Sequence, residues 1–273
     1  MSEAALRFLR HRLAVGGLGL VFLLVVLAVA ARLLAPHDPI RQDLPHALAG
    51  PSLEFPLGTD EFGRCILSRI LYGARLSLLV GAAVVLFSFV FGASAGLAAG
   101  YYPKLDNPIM RVMDGLMAFP AIVLAIALMA SLGPSVLNVI IAIGVVYTPR
   151  VARVVRGSVL VVRETPYVEA ARALGTSDWA LIGRHVLPNC VSPVIVQVTF
   201  IFAAAVLGEA ALSFLGVGIP PQIPSWGNVL GEGRLYLQQA PWLRLFPGAA
   251  IMACILGLNL FSATGSAICS IRN

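Results

Sequence analysis

Charged side chains are scarce in this sequence, at 12% of 273 residues where soluble domains carry roughly a quarter. Lysine is nearly missing: Lys104, between Pro103 and Leu105, stands alone. A phosphate-binding loop needs GxxxxGK followed by Ser or Thr, so the chain is not itself a Walker-type ATPase. None of His11, His37, His46 or His185 is followed by Glu, which removes the HExxH zinc proteases. Cys65, Cys190, Cys254 and Cys269 show no paired spacing and no CxxC, which argues against a disulfide framework, a zinc site or redox chemistry. They read as small apolar fillers.

What the chain has instead is apolar length. Hydrophobic residues make up 59% of it and the mean hydropathy is +0.90. A spanning helix needs about 20 mainly apolar residues. Six segments approach that: Leu13–Leu34, Leu76–Ala99, Met113–Leu132, Val136–Val154, Pro193–Leu215 and Leu245–Thr264. The fold class expected is therefore an all-α integral membrane protein with six transmembrane helices. Gly133, Pro134 and Ser135 alone separate the third span from the fourth, which predicts a tight helical hairpin there.

The net charge of +6 points to topology rather than to nucleic acid, because the basic residues punctuate the spans. With residues 1–12 in the cytoplasm, Arg7, Arg10, Arg12, Lys104, Arg111, Arg150, Arg153, Arg156, Arg163, Arg172, Arg184 and Arg272 fall inside. Both termini are then cytoplasmic. Residues 35–75 become an extracytoplasmic segment with an amphipathic helix, and residues 76–264 a five-helix core with a long inside loop over 155–192. The first apolar run exceeds the roughly 7–15 residues of a signal core, so it reads as an uncleaved anchor.

Two intramembrane features carry polar chemistry. Gly92-Ala93-Ser94-Ala95-Gly96 satisfies GxSxG, but a hydrolase elbow needs a strand-to-helix turn and this stretch lies inside the second span. The same residues place Gly92, Gly96 and Gly100 at four-residue spacing, a face for close helix packing in lipid. Glu209, in Gly208-Glu209-Ala210-Ala211, is costly in hydrocarbon and marks either a functional polar site or a structural hydrogen bond to another helix. Asp114 reads as the cytoplasmic end of the third span, where a helix N-terminus would stabilise it.

The inside loop is the most informative segment. Thr165 is suited to an N-cap with Pro166 at the first helical position, and Gly175 to the left-handed residue that ends a helix. Ser177 or Asp178 can cap a second helix through Trp179 and Ile182, which Pro188 would stop. Helix, turn and helix make a compact knob suited to docking a soluble partner, or else a loop lying on lipid.

Glu169-Ala170-Ala171, three residues, Gly175, and then Leu187-Pro188 resemble the EAA motif of permease subunits of binding-protein-dependent ABC importers. His185 departs from the general motif, and Arg184-His185-Val186-Leu187-Pro188-Asn189 is instead similar to the dipeptide, oligopeptide and nickel branch. Pro56-Leu57-Gly58-Thr59-Asp60-Glu61-Phe62-Gly63-Arg64, Tyr72-Gly73-Ala74-Arg75, Ala118-Phe119-Pro120, Ser213-Phe214-Leu215-Gly216, Pro224-Ser225-Trp226-Gly227 and Pro241-Trp242 extend the likeness. Within the branch the chain most resembles the C-type subunit of dipeptide transporters, with Cys65 where that subunit usually has Asp.

The resemblance implies a type I ABC importer transmembrane fold, with Glu169, Ala170, Ala171, Gly175, Leu187 and Pro188 seating a coupling helix in a groove of an ATPase subunit. It implies a heterodimer with a homologous permease subunit, two ATP-binding-cassette subunits that carry ATP and Mg, and an extracytoplasmic substrate-binding protein. This chain would itself bind no cofactor, metal or nucleic acid and catalyse nothing. Peptides are the implied substrate, with nickel or another small solute as the alternative. An ATP-independent carrier or an intramembrane hydrolase using Ser94 are the distant rivals. One stretch does not fit. Family members usually end in a charged tail like Asp-Gly-Leu-Arg-Asp-Leu-Leu-Asp-Pro, whereas residues 265–273 are GSAICSIRN. A frameshift near Ser262 would convert one into the other.

Overall fold

The computed structural model describes residues 12–269; of the cytoplasmic start expected over 1–12 all but Arg12, and the last four residues of the divergent tail, lie outside them. The described chain is helical, with a single isolated β-bridge between Thr59 and Cys65. In chain order the helices are α1 (Arg12–Val29), α2 (Ala31–Leu34), α3 (Ile66–Tyr101), α4 (Pro103–Met117), α5 (Ala121–Leu132) and α6 (Val136–Arg163). They continue as α7 (Pro166–Ala173), α8 (Asp178–Leu181), α9 (Leu187–Phe214), α10 (Trp226–Glu232) and α11 (Trp242–Cys269).

Among the described residues, four helices are long and apolar enough to cross a bilayer: α3, α6, α9 from Pro193, and α11 as far as Ser262. Large apolar side chains such as Leu79, Leu86, Leu137 and Met252 stand exposed on their outer faces. In water that would be a liability; in lipid it is the solvated surface. α1 is a shorter apolar helix, interrupted at Ala30 and continued by α2.

Two sequence expectations are corrected. The span expected over Met113–Leu132 is two helices, α4 and α5, bent by 92°. Pro120 has no amide proton to donate and restricts Phe119, so the helix cannot run through. Within the segment 35–75, expected to carry an amphipathic helix, the helical parts are one 3₁₀ turn at Leu44–His46 and the start of α3 from Ile66. That start is polar, but Arg69 is buried against acidic partners instead of facing water. Finally, Pro188 does not stop a helix. A π-turn over Ile182–Val186 leads directly from α8 into α9, and the Leu187 amide bonds back to the Ile182 carbonyl. The extra residue in the turn lets the chain pass a proline in the first turn of α9 without breaking.

Two packed layers organise the bundle. Val80, Val84, Val139, Ile143, Val155, Ile201 and Leu212 fill the space between α3, α6 and α9. Ala28, Ala74, Val206, Trp226, Ile251 and Cys254 join α1, α3, α9, α10 and α11. Since lipid is as apolar as these side chains, close packing rather than water exclusion holds the helices together. Small residues therefore sit at the crossings: a Cβ on Gly17 would lie 2.7 Å from the Gly257 carbonyl oxygen.

Candidate functional site

The knob forms where α7 and α8 meet. Val168, Leu181 and Val186 are fully buried and anchor it to the bundle, while Leu174 and Trp179 are 87% and 82% exposed. Thr165 has extended backbone at the N-cap, but its hydroxyl donates back to the Val162 carbonyl (2.5 Å) instead of capping α7. Pro166 at the first position removes one of the amides that would need a cap. Gly175 closes α7 with φ +80°, a left-handed conformation that costs other residues about 1–2 kcal/mol. Its amide reaches the Arg172 carbonyl and the Thr176 amide reaches Ala171, a helix-ending turn.

Glu169 and Ala170 face outward on α7, and Ala171 is half-buried against the core. Leu187 and Pro188 are exposed on the first turn of α9, beyond the π-turn. His185 is half-buried, with its ring 6.2 Å from that of Tyr167, and Asn189 Nδ2 donates to the Tyr167 hydroxyl at 3.1 Å.

Gly92, Gly96 and Gly100 lie along α3 where it crosses α6. A Cβ on Gly96 would sit 2.5 Å from the Ala152 carbonyl oxygen, and one on Gly92 2.7 Å from that of Thr148. Ser94, on the opposite side, is exposed and donates to the carbonyl of Val90 in its own helix. An apolar cavity of about 260 Å³ between α5, α6 and α9 has Tyr147 as its polar lining side chain, a larger one of about 460 Å³ between α3, α6 and α9 is lined by Ala93 and Cys190, and Ser94 lines neither. Nothing there assembles a nucleophile with a base.

Glu209 is wholly buried in α9. Ser77 of α3 donates to its Oε2 and Ser213 to its Oε1, each at 2.9 Å. Asp114, expected beside a helix N-terminus, is instead in the last turn of α4, where the dipole disfavours an anion. The Arg153 guanidinium, 2.6 Å away, neutralises it. Arg156 and Asp106 form the parallel pair one turn along.

Sequence reading missed a buried charge network at the other end of the bundle. Asp60 Oδ2 accepts from Arg64 Nε (2.6 Å) and Arg69 Nη1 (2.7 Å), and Oδ1 accepts the Phe62 and Arg64 amides at 2.9 Å each. Arg69 Nη2 then donates to Glu232 of α10 at 2.9 Å. The residues are visible in the sequence, but their meeting spans 163 positions. Gly63 makes the loop possible: with φ +74°, it lies so close to the Asp43 backbone that no side chain fits. Burial and the nearby negative charge of Glu232 raise the carboxyl of Glu61 above its ordinary range.

Comparison with known families supplies the decisive observation. Residues 71–267 match the family described as binding-protein-dependent transport system inner membrane component, and residues 1–51 match the N-terminal TM domain of oligopeptide transport permease C. The chain belongs to this permease family. It is a multi-pass membrane protein, a permease subunit of an ABC importer.

The permease is 49% identical over 256 residues to a putative peptide transport system permease protein of Brucella abortus, covering 94% of this chain and 86% of the relative. It is 44% identical to a dipeptide transport system permease protein of Alkalihalophilus pseudofirmus (94% and 85% covered) and 41% identical to a glutathione transport system permease protein of Pectobacterium atrosepticum (93% and 85%). Its fold is shared with a crystal structure of an amino acid ABC transporter with histidines, at a TM-score of 0.52 and 14% identity over 75% of this chain and 92% of that one.

Proposed function

We propose that this permease forms half of a translocation pathway for di- and oligopeptides, paired with a homologous permease subunit. Its knob, carrying Glu169, Ala170, Ala171, Gly175, Leu187 and Pro188, docks an ATP-binding-cassette subunit. Two such subunits hold ATP and Mg on the cytoplasmic side, where both termini of the permease also lie. A substrate-binding protein delivers peptide from outside. The permease performs no covalent chemistry: nucleotide state selects between two packings of its spans, and the knob carries that selection.

One observation carries the docking reading: Leu174 and Trp179 project from a turn whose own anchors, Val168, Leu181 and Val186, are fully buried. Covering one such side chain in a partner groove contributes about 2 kcal/mol, a sizeable share of a specific interface. Gly175 at the tip keeps the backbone itself accessible. Peptide as substrate is supported by relatives named for peptide, dipeptide and glutathione transport.

The test is reconstitution of the complete importer with Gly175→Arg. The variant should insert into the membrane but lose hydrolysis stimulated by the loaded binding protein. Normal stimulation would overturn the docking assignment. Uptake of labelled dipeptide against nickel by the same proteoliposomes decides the substrate, and nickel uptake without dipeptide uptake would replace peptide.

A further inference from the structure

α3 is a single helix of 36 residues, about 54 Å long, and it touches both ends of the machine. At one end its last residue, Tyr101, is 7% exposed and its hydroxyl donates to Asp178 Oδ1 of α8 at 2.6 Å. Arg172 of α7 lies with its guanidinium 5.8 Å from the Tyr101 ring, so both arms of the knob converge on this one side chain. Arg163 Nη1 adds a bond to the Gly100 carbonyl at 2.9 Å.

At the other end α3 is tied just as closely to α10. Arg69 bonds Glu232, and the Trp226 indole donates to the Ile70 carbonyl at 3.1 Å. Gly73 lies against Ser225, where a Cβ would approach the Ser225 carbonyl carbon to 3.1 Å. On the Tyr101 side, Gly92, Gly96 and Gly100 seat α3 directly on α6, and further along Val80 and Val84 are fully buried in the core that α3 shares with α6 and α9.

We propose that Tyr101 is the positioning residue through which the knob moves α3, and that α3 carries this movement to α10. The inference rests on the docking reading above. Among the described residues the tyrosine hydroxyl bonds the knob, at Asp178, so its bond reports the position of the knob and not merely the packing of the bundle. A helix held at both ends is the physical link that coupling across a membrane protein requires, and its warrant must be a measured coupling between the ends.

The experiment uses the reconstituted importer with Tyr101→Phe, Asp178→Asn and the double variant. A spin label is placed at Leu235→Cys, an exposed position three residues beyond α10. Tyr101→Phe should keep the ATPase subunits bound and basal hydrolysis intact. It should lower the stimulation by loaded binding protein by about tenfold, within the usual range for coupling between sites. The label's response to ATP should fade in parallel, and the double variant should lose no more than Tyr101→Phe alone.

Unchanged stimulation in Tyr101→Phe, additive losses in the double variant, or release of the ATPase subunits would each overturn the proposal. Gly175→Arg, run alongside, separates the two readings. If it abolishes stimulation while Tyr101→Phe does nothing, docking stands and the Tyr101 link falls. If Gly175→Arg is also silent, the docking reading fails first.

Discussion

Ser77 and Glu209, 132 residues apart, meet in the membrane through a hydrogen bond of 2.9 Å. The carboxylate of Glu209 is divided between helices, with Ser77 on one oxygen and Ser213 on the other. Close by, Ser225 caps α10 through the Asn228 amide and Gly227 rests on the backbone of Ala210, so Glu209 lies where three helices meet. Ser77→Ala leaves a buried acceptor short of a donor and should destabilise the purified protein by about 1–3 kcal/mol. Thermal unfolding in detergent measures it, and Glu209→Gln, whose amide oxygen still accepts from one serine while its NH2 donates to the other serine's oxygen, should cost less.

Gly96→Ala should be costly despite adding one methyl group. The new Cβ would meet the Ala152 carbonyl oxygen, which is backbone and cannot rotate aside. α3 and α6 must separate, at about 1–3 kcal/mol. Ser94→Ala, two residues away on the exposed side, should change neither the unfolding temperature nor transport.

The network around Asp60 makes a stronger claim. Arg69 is 1% exposed and serves both Asp60 and Glu232. Arg69→Met fills the space but leaves Arg64 alone, 2.6 Å from Asp60 and 3.1 Å from Glu232, to balance two buried acids, at about 3–5 kcal/mol. The expected result is loss of the subunit from membranes, seen by immunoblot. Pairing it with Glu232→Gln should recover part of the loss, because Arg64 then balances Asp60 alone.

Glu61 predicts a pH dependence. Burial, reinforced by Glu232, raises its carboxyl above the ordinary 4.5, so the folded chain holds a proton that the unfolded chain releases. The stabilisation is complete below 4.5 and is lost as pH rises through the folded value. Unfolding temperature should therefore fall through this group as pH rises above 4.5, and Glu61→Gln should flatten that slope.

Several elements were legible in the sequence because their causes are local. The apolar runs identified the long helices, since a bilayer demands length and hydrophobicity from each segment independently. Thr165, Pro166 and Gly175 marked the bounds of α7 because backbone conformation there depends on neighbouring residues. Prolines were read less well. Pro120 breaks the third span, which an average over apolar residues does not register. Pro188 was expected to end a helix, but a π-turn accommodates it.

What the sequence by itself determined is an all-helical membrane protein with a helix-turn-helix knob, because hydrophobic length and turn chemistry act over one or two helical turns; the permease reading came from the resemblance of its motifs. Tertiary structure alone decided that Glu209 meets Ser77, that Arg69 joins Asp60 to Glu232, and that Tyr101 meets the knob at Asp178. Those pairings join residues that are far apart in the chain. Buried polar groups accept only partners that close packing brings within about 3 Å, and no local pattern specifies which those will be.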